Sequence, residues 1–346
     1  MAAKLIPVSL VRAASSCLGA PLSAVLRREV GRRAAFSSGP RGRSMATMPL
    51  GAADRERFDR EGFLVVEGAL DKKTCQDMMT RVGELISAWQ PEHLSVFSTK
   101  QEMRQTDEYF LESSDKIHFF LEEKALAADG SFTTDKALCL NKVGHGLHEQ
   151  DPLFRSVTQR PEIAQAVSAL GYISPDLVQS MYIFKQPHIG GEVVTHQDST
   201  FLYTDPPSCL GLWFALEDAT LENGCLWAIP GSHKGGISEV FHRNPDYPQG
   251  PLCTFRAVGE GATGGDVGEL VPLPVKQGDL VMIHGAVHHM SKENTSSKSR
   301  HTFQVHLVED TSGTRVGIDG VPHVWPSDNW LQYPKSKPFP KFESLP

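Results

Sequence analysis

From residue 177 onward the chain is a succession of short β-branched and aromatic runs divided by turn residues, and nothing else in it constrains the fold as tightly. Residues 178–184, 210–216 and 302–308 read as strands, the last of them the final strand expected. Glu222-Asn223-Gly224 carries the chemistry of a hairpin turn, which would bring the chain from 210–216 back through Cys225 to Ile229. Lys276-Gln277-Gly278-Asp279 is a second turn, followed by the run 280–283 and then by His284, His288 and His289. Helical signals gather in the preceding part. Short strands with helices collected at one end imply a mainly β domain, a sandwich or barrel of the jelly-roll kind with supporting helices.

The helical part begins with Gly62-Phe63-Leu64-Val65-Val66-Glu67-Gly68, a strand closed by glycine. Asp71 then stands where a helix N-cap belongs, and Cys75, Met78, Val82, Leu85, Ile86 and Trp89 recur at helical spacing as one core-facing stripe. Ile117, Phe119, Phe120 and Leu121 form a second apolar patch, and a helix over 164–170 ends at Gly171. Between them, residues 141–148 place Lys142, His145 and His148 among glycines, where backbone can approach a ligand closely. As bare residues these histidines read as hydrogen-bonded or surface groups before they read as ligands.

Composition narrows the function. A net charge of −7 over 346 residues argues against nucleic acid as the main partner, because such binding rests on clustered lysine and arginine. No apolar run reaches the roughly 18 residues of a membrane-spanning helix. Six cysteines without a C-x-x-C pair fit a reducing compartment. Residues 1–45 stand apart, with Lys4 and seven arginines against the single acid Glu29. This is the composition of a mitochondrial transit peptide, with Arg32-Arg33-Ala34-Ala35-Phe36-Ser37-Ser38 as its cleavage region. Translation from Met45 or Met48 would instead leave a cytoplasmic protein. The domain expected is 52–346, with helical support mainly over 52–175 and the jelly-roll core over about 177–310. A small molecule is its expected partner, and no obligate protein partner is evident.

The chemistry centres on His196-Gln197-Asp198. On an extended strand residues two apart leave the same face, so His196 and Asp198 can grip one ion. Two ligands do not make a catalytic site. A third is expected from the histidines at 284–289, on a strand lying beside the first. Two histidines and a carboxylate leave three positions of an octahedral Fe(II) open, enough for a bidentate oxoacid beside O₂. Arg300, eleven residues past His289, suits the far carboxylate of such an oxoacid, because guanidinium binds carboxylate bidentately. His233, after Pro230-Gly231-Ser232, and His284 read as structural.

These motifs resemble the phytanoyl-CoA dioxygenase family of Fe(II)/2-oxoglutarate oxygenases. The resemblance covers roughly residue 54 to the C-terminus. It runs through 62–68, Ser180-Met181-Tyr182-Ile183-Phe184-Lys185-Gln186-Pro187, His196-Gln197-Asp198, 217–224, Pro230-Gly231-Ser232-His233 and Ile283-His284-Gly285. It implies a double-stranded β-helix, cupin-like barrel, with Fe(II) held by His196, Asp198 and His289. His289 is preferred over the adjacent His288 because Ser291, Asn294 and Arg300 follow it at the family's spacing. Arg300 would anchor the distal carboxylate of 2-oxoglutarate, and Lys142, Met181, Gln197 and Trp213 would line its pocket. The activity implied is hydroxylation of an organic substrate, an acyl-CoA or related metabolite, with release of succinate and CO₂ and with ascorbate as an activator. Asp198 argues against a halogenase, in which the carboxylate gives way to a halide. A sensor that binds metal and 2-oxoglutarate without turnover, and a metal-dependent hydrolase, are the alternatives.

Overall fold

The computed structural model describes residues 50–99, 107–258 and 268–343. The basic leader over 1–45 lies outside them. Four strands precede the barrel run: β1 (Phe63–Val66), β2 (Ser95–Val96), β3 (Ile117–Leu121) and β4 (Leu140–His145). The run itself supplies β5 (Asp176–Ile183), β6 (Val193–His196), β7 (Leu210–Ala215), β8 (Leu226–Ala228), β9 (Glu239–Arg243) and β10 (Cys253–Ala257). It continues with β11 (Val271–Leu273), β12 (Leu280–His284), β13 (His289–Ser291) and β14 (Thr302–Val308), then β15 (Ser312–Val316) and β16 (Pro322–Val324).

Among the described residues eight strands make a major sheet, in the order β1-β12-β7-β14-β5-β4-β3-β2, and four make a minor sheet, β11-β8-β13-β6. The domain is mainly β, of the jelly-roll, cupin-like kind expected. Alternation along β14 shows how the layers form. Phe303, Val305 and Leu307 join the large hydrophobic core that also holds Cys75, Met78 and Val82 of the helix Lys72–Ala88. Thr302, Gln304 and His306 point the other way, into the barrel. The strand is buried along nearly its whole length, with apolar residues on the core face and polar residues on the barrel face.

The helix Lys72–Ala88 begins where its sequence indicates. Asp71 Oδ1 accepts a hydrogen bond from the Thr74 amide at 2.8 Å, and that bond holds the Asp71 carboxyl below the usual carboxylate range. The five described cysteines are buried and unbridged. No helix among the described residues is long and apolar enough to cross a membrane.

Two local expectations are corrected. Asn223 does make a turn, accepting from the Thr220 amide at 2.7 Å with Gly224 at φ 86°. The strands on its two sides, however, do not pair as a hairpin. Both edges of β7 are already taken by β12 and β14, so the chain crosses to the minor sheet, where β8 pairs with β11 and β13. Thr302–Val308 is also not the last strand. The β15–β16 ribbon follows, mostly exposed and without the apolar alternation that would have marked it.

Candidate active site

His196 ends β6 and His289 begins β13, and the two residues are register partners across the minor sheet. This pairing brings the imidazoles close together, tilted at 51° with ring centroids 4.3 Å apart. Gln197 stays extended (φ −120°, ψ 131°), so Asp198 returns to the same side as His196. The structure refines the expectation in one respect: Asp198 is the first residue of the short helix Asp198–Phe201 rather than part of the strand.

The two histidines are prepared alike. His196 Nδ1 lies 2.8 Å from the Val194 carbonyl and His289 Nδ1 lies 3.0 Å from the Val287 carbonyl. A carbonyl only accepts, so each Nδ1 carries a hydrogen, and in the neutral imidazole each Nε2 presents a lone pair. Both Nε2 atoms face Asp198 Oδ1, at 3.5 and 3.6 Å. One ligand atom from each of the three residues lies within 4.8 Å of the other two.

Burial alone would raise the Asp198 carboxyl, but His289, His306 and His196 around it hold it well below the usual range. Burial also keeps His289 neutral, pushing it down to about 4. Two neutral imidazoles and a carboxylate are a donor set that suits Fe(II). The second carboxylate oxygen, Oδ2, lies 3.3 Å from Nε2 of His306 on β14. Gly211, opposite His306 on β7, leaves room for this contact, since a Cβ there would stand 3.2 Å from Asp198 Oδ2.

The interior rows of the major sheet set out the cavity beneath this cluster. Gly211 and Gln179 lie beside His306 at one level, and Trp213 and Met181 beside Gln304 at the next. Thr302 lies beside Ile183, which pairs in turn with Lys142. From the His306 level to the Thr302 level is about 13 Å, four residues of strand. The cavity here measures about 170 Å³.

Its far end is cationic. Arg300 is 2% exposed, its Nε has no hydrogen-bond partner, and its guanidinium lies 5.2 Å from the Trp213 ring. Burial pushes it down to about 10. Lys142 is buried with its ammonium 3.8 Å from Met181 Sδ and 3.4 Å from the centre of the Phe97 ring. An arginine kept dry with an unused donor fits a carboxylate ligand.

Of the residues expected at the site, His196, Asp198, His289, Arg300, Lys142, Met181 and Trp213 all line this one cavity. Gln197 does not. Its amide donates to the carbonyls of Gly236 and Ala286 at 2.8 and 2.7 Å, on the side away from the ligands. His284 packs beside His233 at 5.0 Å, and the His288 amide donates to Ser232 Oγ. Neither belongs to the metal-binding set. His148 is held by Ser180 and Leu177.

Three lining groups escaped the sequence reading. His306 and Gln304 follow Arg300 at even spacing on one strand face, which period-two counting would have found. Lys185 follows Met181 and Ile183 in the same parity. Its ammonium donates to the Gly191 carbonyl at 2.6 Å and to Ser291 Oγ at 2.9 Å, and burial, with Arg300 nearby, lowers it to about 7.

Comparison with known proteins agrees with this geometry. The family model described as Phytanoyl-CoA dioxygenase (PhyH) matches residues 58–302, and the chain belongs to that family. It is 46% identical over 278 residues to a phytanoyl-CoA dioxygenase of Arabidopsis thaliana, covering 80% of this chain and 92% of that one. It is 45% identical over 302 residues to phytanoyl-CoA dioxygenase domain-containing protein 1 of Mus musculus, covering 85% and 99%.

Among solved structures the fold is shared with the non-heme alpha ketoglutarate dependent carbocyclase SnoK from nogalamycin biosynthesis. That match has a TM-score of 0.51 and 18% identity, over 82% of this chain and 99% of that one. It is shared as well with EctD from S. alaskensis, solved with 2-oxoglutarate and 5-hydroxyectoine, at a TM-score of 0.51 and 17% identity over 82% and 88%. The chain is a 2-oxoglutarate-dependent, non-haem iron oxygenase, with Fe(II) and 2-oxoglutarate as its cofactor and co-substrate.

Proposed function

We propose that this oxygenase hydroxylates a C–H bond of a small organic molecule, coupled to conversion of 2-oxoglutarate and O₂ to succinate and CO₂. The observation that carries the reading is the pairing of the His196–Asp198–His289 cluster with a buried arginine at the other end of the same cavity. His196 Nε2, Asp198 Oδ1 and His289 Nε2 hold Fe(II), which when bound supplies the activation of O₂ and 2-oxoglutarate. Arg300 takes the distal carboxylate of the co-substrate, and Lys142, Met181 and Trp213 form the walls along its length. His306 fixes the Asp198 carboxylate through Oδ2, leaving Oδ1 for the metal. Apolar walls exclude water around both ligands.

The relatives' names point to an acyl-CoA as the substrate. A cavity of about 170 Å³ is below the ~300 Å³ at which ligand pockets usually begin. Beside the co-substrate it admits only the reacting end of such a molecule.

Succinate formation from 2-oxoglutarate by the purified chain with Fe(II) and ascorbate tests the reading, beside Asp198→Ala and Arg300→Ala. Turnover that vanishes in Asp198→Ala and needs far more 2-oxoglutarate in Arg300→Ala is expected. Turnover unaffected by either change would remove this site from the reaction. Binding of metal and 2-oxoglutarate without succinate, across a panel of acyl-CoAs and smaller metabolites, would favour a sensor instead.

A further inference from the structure

The end of the cavity away from Arg300 is walled by rings. Trp330, from the segment after the last strand, stacks on Phe110 with centroids 4.4 Å apart and meets His145 at 5.5 Å. His145 is level with the metal cluster. It pairs with Ser180, whose partner on β14 is Val305, next to His306. Lys142 starts three residues back on β4, and its ammonium reaches to 5.6 Å from the centre of the Phe110 ring. Trp330 is held in place by its carbonyl, which accepts from Arg243 Nε at 3.0 Å, and by its neighbour Asn329, whose amide donates to the Tyr203 carbonyl at 2.8 Å.

Within this apolar wall two polar atoms have no partner: Trp330 Nε1 and His145 Nε2. Their roles follow from the neighbouring bonds. Ser113 Oγ lies 2.6 Å from the Phe110 carbonyl, which only accepts, so the single hydroxyl hydrogen goes there. The same Oγ lies 2.6 Å from His145 Nδ1 and therefore accepts from it. His145 carries its hydrogen on Nδ1, and its Nε2 is a bare acceptor. Trp330 Nε1–H can only donate. Buried polar groups are nearly always hydrogen-bonded, and since both residues line the cavity, a ligand with an acceptor for Trp330 and a donor for His145 would satisfy both.

We propose that His145 and Trp330 form the substrate's polar subsite, taking a hydroxyl or an amide whose oxygen accepts from Trp330 Nε1–H and whose own hydrogen goes to His145 Nε2. The group delivered to the metal is then small and uncharged, next to an apolar body that packs on Phe110. A bare alkyl chain leaves both nitrogens unpaired, and a ketone leaves His145 unpaired. Discrimination of this kind is strong, because the wrong ligand strands buried polar atoms. The inference rests on the oxygenase reading for where the group is delivered, but its test requires no turnover.

The full chain, labelled with ¹⁵N at its tryptophan indoles and loaded with Zn(II) and 2-oxoglutarate, is titrated with isobutyramide and separately with 3-methylbutan-2-one, of nearly equal shape. Trp330→Phe assigns the Trp330 indole signal. Isobutyramide is expected to move that signal and to saturate at roughly tenfold lower concentration than the ketone. In His145→Phe the two probes should become equivalent. Equal affinities in the unaltered chain, or a Trp330 signal that neither probe moves, overturns the proposal, and the unaltered chain alone decides this if His145→Phe does not fold. An amide preference that survives while Zn(II) and 2-oxoglutarate fail to bind would sink the oxygenase reading and leave the subsite standing.

Discussion

The two ends of the cavity both hold buried polar atoms without partners, yet they differ in kind. At the Arg300 end the unpaired group is a full charge, with Lys185 nearby, while the Lys142 ammonium lies between the ends, 5.6 Å from the centre of the Phe110 ring. At the Trp330 end the unpaired groups are a neutral donor and a neutral acceptor. Keeping a charge dry costs far more than keeping a dipole dry, so the first end demands an ionic ligand and the second a neutral one. On this reading one cavity would sort a dianionic co-substrate from an uncharged substrate group, with the metal-binding cluster level with the Trp330 end.

Asp198→Ala removes the group both ends share and should have the largest effect. One of three protein ligands is lost, and two histidines without their carboxylate are left. Metal affinity should fall by more than about 100-fold, read by titration with Co(II) and its visible absorption, and succinate formation should fall to background. Retained affinity would mean that the ion sits elsewhere. Arg300→Met acts at one end alone. It keeps bulk and removes charge, so the KM for 2-oxoglutarate should rise about 100-fold, a loss of ~3 kcal/mol in keeping with a charged hydrogen-bonded pair. The affinity of isobutyramide at the Trp330 end should stay within about twofold. If both ends weaken together, they are not independent.

The cationic end should also respond to pH. Lys185 in the folded chain is lowered to about 7 from its ordinary 10.5. Between those values the unfolded chain binds the extra proton, so folded stability rises with pH across that window. Without metal or 2-oxoglutarate, the unaltered chain should gain about 2 kcal/mol relative to Lys185→Met between pH 7.5 and 9, measured by urea unfolding. Saturating 2-oxoglutarate should flatten the difference, since its carboxylates favour the charged lysine. A flat difference without 2-oxoglutarate would place the Lys185 ammonium in contact with water.

The two ends were not equally legible in the sequence. His196, Asp198, His289 and Arg300 are chemically distinctive residues at telling spacings, and the structure gathers them in one cavity. The Gln197 side chain faces away from the cavity, because the alternation that puts 196 and 198 on one side puts 197 on the other. The 210–229 hairpin was misread because a turn motif reports local geometry, whereas pairing depends on which sheet edges remain free. His145 and Trp330 carry no such signal. Their importance lies in bonds they do not make, and that is visible only once Ser113, Phe110 and the C-terminal segment have been placed around them.

The smallest expected effect serves as the control on the others. Asp71 caps the helix Lys72–Ala88 from outside the cavity, through bonds to the amide and hydroxyl of Thr74. Asp71→Ala should cost about 1 kcal/mol of stability in urea unfolding. The helix packs on the core face of the major sheet, opposite the barrel interior, so neither the KM for 2-oxoglutarate nor the isobutyramide affinity should move. The control discriminates because every cavity substitution also perturbs packing. If a remote loss of this size shifts the ratio of the two affinities, the barrel transmits strain between its ends, and the effects of Arg300→Met would no longer report on one end alone. An unchanged ratio makes the contrast between charge and dipole a local property of each end.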